Sequence, residues 1–395
     1  MAPRNKEILL TEGEHSGPGE VRYKIDICGK GFDVFFRSAH APLYSGVEPA
    51  LPLALLGAMR TGSDIRVLSP ISATYVRNIQ KIITIFSDWF SRFARVTVYA
   101  ERPVVPTPAP TGRVGLFFSG GVDSFYTLLC NAREITDLVY IHGFDVRLDD
   151  LPRRKAVSET GLAVAEETGT RFIEIESNLG KIVQEYGLWV EHGYGMALGA
   201  VGRLLQGYLD RVYVAAGTAY QDLAPNGSHP ATDPLYGDEV LTFIHHGAEA
   251  TRTEKTEVIS SSPLAMRFLR VCVEHPKGRL NCGECEKCLR TMVALHSLGA
   301  LERSDTFPRE IDIAKLRDLT TWEPHLRRFL VENLRLLEGK GLRETELYEV
   351  LDRIGRRPPW LVKRLQRYRR KWRKMANKID RVFSREPRRN TSRYV

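Results

Sequence analysis

VGLFFSGGVDSFYTLL, Val114 to Leu129, is the stretch on which the reading of this chain turns. Val114 to Phe118 form an apolar run with the length and composition of a buried parallel strand. Ser119, Gly120, Gly121, Val122, Asp123 and Ser124 break that run, and from Phe125 the apolar positions follow a helical period. A strand, a glycine turn and a helix start in succession aim several backbone N–H groups at one point, where the helix dipole also favours an anion. The local chemistry is that of a phosphate cradle. It is not a Walker loop, which needs Lys-Ser/Thr after its second glycine, whereas Val122 and Asp123 follow Gly121 here. The same six residues also suit a plain turn between strand and helix, with the serines as caps.

Working outward, strands and helices alternate on the C-terminal side. Leu138 to Asp145 reads as a strand ending in a polar turn, Lys155 to Glu167 as a helix and Arg171 to Ile175 as a strand. Ala197 to Tyr208 then reads as a helix and Val212 to Ala216 as a strand running into GTAYQD. That order predicts an α/β fold with a parallel sheet covered by helices on both faces. Ligands of such sheets lie outside the carboxyl ends of the strands. Ser119 to Ser124, His142 to Asp145, Ser177 with Asn178, and Gly217 to Asp222 should therefore line one crevice.

The segment Ala219 to Glu239 is long and rich in Gly, Pro and polar residues, as functional lids and solvated loops both are. It offers Asp222, His229 and Asp233 as candidate contacts to substrate or metal. His245, His246, Glu249, Arg252, Glu254 and Lys255 would add charge to the same side.

On the N-terminal side, residues up to about 18 are polar and expected to be loose. Val21 to Ile27 and Gly31 to Arg37 read as a hairpin, Pro52 to Met59 as a short helix and Asp64 to Leu68 as a strand. Tyr75 to Phe93 reads as a longer helix and Arg95 to Ala100 as a strand. The simplest account is an α/β accessory domain over 1–105, joined by the stiff proline-rich PVVPTPAPTG to a second domain over 113–300. A helical region with a basic tail occupies 301–395.

The chain has six cysteines, and Cys272, Cys282, Cys285 and Cys288 fall within seventeen residues as C-x9-C-x2-C-x2-C. Four thiolates at that spacing fit a closed structural Zn²⁺ site, with Gly283 allowing the tight turn. Cys₄ also suits an iron–sulfur cluster, and redox thiols are a third use. Of the two remaining, Cys28 reads as a structural thiol and Cys130 lies in a helix expected to be buried.

SGGVDS resembles the PP-loop of the ATP pyrophosphatase superfamily, and CGECEKCLR, Cys282 to Arg290, resembles the zinc knuckle of its 7-cyano-7-deazaguanine synthase family. The resemblance covers roughly 113 to 296 and implies a PP-loop fold of adenine nucleotide α-hydrolase type. It also implies an ATP-dependent C–N ligase that activates a carboxylate as its adenylate, with ATP, Mg²⁺ and Zn²⁺ bound. By matching positions, Ser119, Gly120, Gly121, Val122 and Ser124 would hold the leaving pyrophosphate, and Asp123 would help hold Mg²⁺. His142, Gly143 and Phe144 would lie near the adenine. Gly217 and Asp222 fall in a turn facing the nucleotide, and Lys255 would contact phosphate. HGYG, His192 to Gly195, occupies the place of a nucleotide-facing glycine turn. The loop 226–236, where the family recognises its base, differs, so a deazapurine acid, another small acid and a group on a macromolecule all remain as substrate classes.

The net charge of +9 is uneven: from Arg353 onward 17 Lys and Arg face Asp380 and Glu386, a net of +15, and the difference leaves −6 elsewhere. Basic residues interleaved with Trp360, Tyr368, Trp372 and Phe383 suit RNA or DNA, a protein surface or an anionic membrane. An RNA-modifying ligase and a nucleotide sensor without turnover are the alternative functions. No apolar run is long enough to span a membrane and no signal-peptide core opens the chain, so a soluble cytoplasmic protein that assembles with copies of itself is expected.

Overall fold

The computed structural model describes residues 7–274, 278–319 and 324–358, which fall into two compact units meeting between Ala250 and Thr251. In chain order the first unit begins with strands β1 (Glu7–Leu10), β2 (Glu14–Gly17), β3 (Glu20–Ile27) and β4 (Lys30–Arg37). Helix α1 (Ala50–Thr61), β5 (Asp64–Ser72), α2 (Ala73–Trp89) and β6 (Val98–Val104) follow. The alternating part is β7 (Val114–Phe117), α3 (Val122–Cys130), β8 (Asp137–His142), α4 (Leu151–Thr168), β9 (Arg171–Ser177) and α5 (Gly180–Tyr186). It ends with α6 (Tyr194–Leu204), β10 (Arg211–Ala215) and β11 (Thr242–His246).

The main sheet has eight strands in the order β11-β10-β7-β8-β9-β4-β3-β2. From β11 to β9 every pair is parallel, and β9-β4, β4-β3 and β3-β2 are antiparallel. All of β7 and β8 is buried, as expected of parallel strands covered on both faces. The fold is therefore α/β with a mixed, mostly parallel sheet.

The hairpin matches its expected place, but it extends the central sheet rather than standing in an accessory domain. Phe36 pairs with Ser177, and Asn178 continues the ladder by accepting from Phe35 N–H (3.0 Å) and donating to Asp33 C=O (2.9 Å). The division at 250/251 thus replaces the expected one near 105, because the ladder and one apolar core tie both sides of the proline-rich connector together. The polar N-terminus also differs from the expectation: β1 pairs in parallel with β5, and β2 pairs antiparallel with β3. Its signal was the short alternation in which Ile8 and Leu10 are buried while Glu7 and Leu9 are exposed.

Beside the main sheet lies a parallel three-stranded sheet, β1-β5-β6. Helix α1 is apolar on all sides, buried from Ala50 to Met59, and joins the core shared by both sheets. Helix α2 starts where Ser72 accepts from Tyr75 N–H (3.1 Å), and buries Tyr75, Ile79, Ile82, Ile83 and Phe86 at helical spacing. Each such side chain contributes about 1.5–3 kcal/mol on burial.

The second unit contains α7 (Arg252–Ser260), α8 (Pro263–Phe268), α9 (Glu286–Ser297), α10 (Ile313–Arg317), α11 (Pro324–Gly339) and α12 (Glu346–Gly355). Its core includes Leu289 and Val293 of α9, Leu330 and Leu337 of α11, and Leu347, Leu351 and Ile354 of α12. No helix among the described residues is long and apolar enough to cross a membrane. The aromatic-interleaved tail from Trp360 onward, with the partners expected for it, lies outside the described residues.

Candidate functional site

Strand β7 ends at the turn Ser119–Gly121, and α3 begins at Val122 with Gly121 as its cap residue. Gly120 has φ +73°, a left-handed conformation that costs glycine nothing. Ser124 donates its hydroxyl to Gly121 C=O (3.1 Å), and Gly121 N–H points at Ser119 Oγ (3.4 Å). Asp123 lies in the first helical turn, where a carboxylate is favoured by the dipole. The loop is folded on itself with its N–H groups at the carboxyl edge of the sheet.

That edge is also where the strand order reverses. Counting from β7, the chain proceeds to β8 and β9 on one side and then to β10 and β11 on the other. The crevice between β7 and β10 is thus a topological switch point, the place where open α/β sheets bind ligands.

Around this edge stands Tyr194, at the start of α6. Burial pushes its phenol well above the ordinary value, and the carboxylates of Asp145, Asp233 and Asp123 add to the rise. Carboxylates from three separate segments of the chain therefore add to the rise of one phenol. Phe144 and Trp189 form an aromatic wall beside it, with ring centroids 4.8 Å apart and 6.5 and 6.1 Å from Tyr194. Trp189 belongs to a π-helical turn, Trp189–Gly193, a local irregularity often found at functional positions. The turn interlocks with the loop of Gly227: Gly227 N–H donates to Val190 C=O (3.2 Å), and Gly195 N–H to Gly227 C=O (3.1 Å). A Cβ on Gly195 would fall 2.0 Å from that carbonyl oxygen, so the close approach requires glycine.

His142 is buried, Nε2 bonded to Glu174 (2.7 Å) and Nδ1 without a hydrogen-bond partner. Burial alone would raise Glu174, but the bonds from His142 and Ser158 outweigh it and hold its carboxyl below the ordinary range. Gly143 N–H closes the following turn onto Val146 C=O (2.8 Å), and Asp145 accepts from the Tyr140 hydroxyl (2.7 Å). His192 accepts from Leu188 N–H (2.9 Å) and packs edge-on against Phe90, and burial lowers its pKa.

Asp233 is the centre of a network that the sequence alone did not assemble. Its Oδ2 accepts from Ser228 (2.6 Å) and from His245 Nδ1 (2.7 Å), and its Oδ1 from His229 N–H (3.2 Å). Burial, followed by His245, lowers the pKa of His229, which packs edge-on against Trp89. His246 faces the other way, with Nδ1 3.2 Å from Thr127 Oγ1, and Glu249 accepts from the Tyr126 hydroxyl (2.9 Å). Gly217 is exposed after β10, and Asp222 closes a single 3₁₀ turn, Tyr220–Asp222, half-buried. Lys255 lies in the second unit on α7, buried, after the reciprocal cap between Thr251 and Glu254.

The four cysteines of the second unit do converge. Their sulfurs lie within 4.8 Å of one another, with Cys282 to Cys288 at 3.8 Å and Cys285 to Cys272 at 4.0 Å. A tetrahedron of Zn–S bonds of about 2.3 Å has edges of about 3.8 Å, so the donor set suits a metal such as zinc. Hydrogen bonds from Cys285 and Cys288 hold the Cys272 thiol down while Cys285 and Cys288 are pushed up, so four simultaneous thiolates need a cation among them. Glu284 and Cys285 N–H both point at Cys282 Sγ (3.3 and 3.2 Å). Gly283, at φ +75°, makes the turn between ligands. Asn281, fully buried, clamps the two arms: Oδ1 accepts from Val271 and Cys272 N–H (2.8 and 3.1 Å), and Nδ2 donates to Leu269 C=O (2.8 Å). Its position directly before the first cysteine of the CxxCxxC run was the available signal. Cys28 and Cys130 are both exposed, so the burial expected of Cys130 does not hold: it ends α3 on the outer side.

No family model, no curated protein and no solved structure matches the chain.

Proposed function

We propose that the chain is an ATP-dependent adenylating ligase of the PP-loop type, joining a carboxylate to a nitrogen nucleophile with release of AMP and pyrophosphate. The observation that carries this reading is the location of SGGVDS, at the carboxyl end of the strand where the sheet order reverses, opening a helix. The parallel strands run three-two-one-four-five from β9 to β11, which supports the α-hydrolase type of fold.

In this reading the loop N–H groups with Ser119 and Ser124 receive the pyrophosphate, and Asp123 would hold Mg²⁺, which when bound neutralises phosphate charge. His142, Gly143 and Phe144 adjoin the base, and the ring of Phe144 suits a planar heterocycle. A substrate carboxylate oxygen bonds to the α-phosphorus as the α–β phosphate bond breaks. The nitrogen then bonds to the acyl carbon, and AMP leaves. Positioned donors suffice for both steps, so no protein nucleophile is required. Cys272, Cys282, Cys285 and Cys288 would hold a structural Zn²⁺, which fits a reducing, cytoplasmic setting.

The test is pyrophosphate release from ATP and Mg²⁺ by wild type and Asp123→Ala, over a panel of acids that includes a deazapurine carboxylic acid, with ammonium or tRNA. AMP and pyrophosphate formed only with a panel acid, and only with Asp123 present, is the expected result. Release of phosphate, or nucleotide binding without turnover on the whole panel, refutes it.

A further inference from the structure

The nitrogen nucleophile must lose a proton as it forms the new bond, and the PP-loop offers no base for it. The Asp233 network does. Asp233 is buried and accepts three hydrogen bonds, so it is an acceptor on both oxygens, and His245 must present Nδ1–H to it. The tautomer is thereby fixed with the lone pair on Nε2. That nitrogen makes no hydrogen bond to a described residue, and the His245 side chain is only 4% exposed, so the base is almost enclosed beside Asp233. A carboxylate fixing the far nitrogen of an imidazole is the arrangement that makes histidine an oriented base.

The sheet register brings this base to the crevice. His245 pairs with Val214 of β10, and Tyr213 pairs with Leu116 of β7, so His245 lies level with Phe117, the last residue of the strand that feeds the phosphate loop. Two strand spacings separate them, about 10 Å.

We infer that His245 is the general base of the amide-forming half-reaction and Asp233 its positioning residue. This rests on the ligase reading above. Nε2 takes the proton that nitrogen loses as the C–N bond forms and the acyl–oxygen bond to AMP breaks, giving amide, AMP and imidazolium, which returns its proton to water.

The experiment separates the half-reactions with the acid that supports pyrophosphate release. Label exchange between pyrophosphate and ATP reads adenylation, ammonium chloride reads aminolysis, and hydroxylamine, unprotonated at neutral pH, reads adenylate without demanding a base. His245→Gln and His245→Ala should keep exchange and hydroxamate formation within a few fold, lose ammonia-dependent amide about 100-fold or more, and, for Ala, regain part of it with added imidazole. Equal loss in exchange and aminolysis, or no loss in either variant, overturns the assignment and leaves His245 as a strut. A wild type that exchanges no pyrophosphate refutes the ligase reading, and this inference with it.

Discussion

The strand-end crevice and the four-cysteine cluster are held in shape by opposite means. The phosphate loop, Phe144, Tyr194 and His245 lie at or just beyond the ends of strands or helices whose position is fixed elsewhere, by Phe117, Val139, Ile173, Val212 and Val214 in the core. Three of the four cysteines lie between Phe268 and Glu286, where the described residues form no helix or strand, and Asn281 bridges the arms. Losing a functional side chain should therefore cost the crevice activity and the cluster its structure.

The largest expected effect tests the cluster. Withdrawing the metal with a strong chelator, or Cys288→Ser, removes binding energy of about 10 kcal/mol or more that is also folding energy for the surrounding chain. Protease cleavage should then open the second unit while Met1–Ala250 persists as a resistant fragment. A second unit equally resistant with and without metal would break the contrast.

Next in size is Asp123→Ala. Turnover should fall by about 100-fold to 1,000-fold, the scale of losing one electrostatic contact to developing charge. The melting temperature should hardly move, since Asp123 is half-buried on a helix start that keeps its backbone. A large drop in stability with intact turnover would reverse the roles assigned to scaffold and side chain.

A smaller effect belongs to the crevice wall. Gly195→Ala forces a methyl against Gly227 C=O, and the interlock of the π-helical turn with that loop must give way. Overpacking of this kind costs about 1–3 kcal/mol, measurable by urea unfolding, with KM for ATP raised more than KM for the acid. Equal effects on both constants would detach the wall from recognition of the base.

The difference between the two regions also explains what was legible in the sequence. The strand-loop-helix at Val114–Leu129 and the cysteine spacing are local patterns, and both lie where they were expected. The attachment of the hairpin to β9 was not legible, because sheet order is set by pairing between residues over 100 positions apart, such as Phe36 with Ser177. Nor was the meeting of Asp233 with His245. That contact depends on how an irregular loop returns over the end of β11, for which no periodicity exists. The hairpin turn is intermediate. Gly29, Lys30 and Gly31 between the two strand-like runs mark its place in the sequence, yet the turn residues are Cys28 and Gly29, both at positive φ, as a two-residue turn with the twist of its strands demands.

The smallest effect probes how far the crevice scaffold depends on charge. Glu20, on the hairpin that borders the sheet, accepts from Ser16 (2.8 Å), Arg37 (2.6 Å) and Arg22 (2.7 Å), and these partners, Ser16 first, hold its carboxyl down to about 2. Its ordinary value is 4.5, so in the window between them the unfolded chain binds the extra proton. The contribution is fully present above the ordinary value and is lost as pH falls toward 2. Solvent at the hairpin edge screens the pairs, which leaves about 1 kcal/mol. Urea midpoints of wild type and Glu20→Gln should therefore differ at pH 7 and converge near pH 2.5. The difference between the two proteins cancels the other carboxylates that titrate in the same range. A gap that persists into acid would mean that Glu20 acts through packing, and that the sheet edge, like the core behind the crevice, is held by shape rather than by charge.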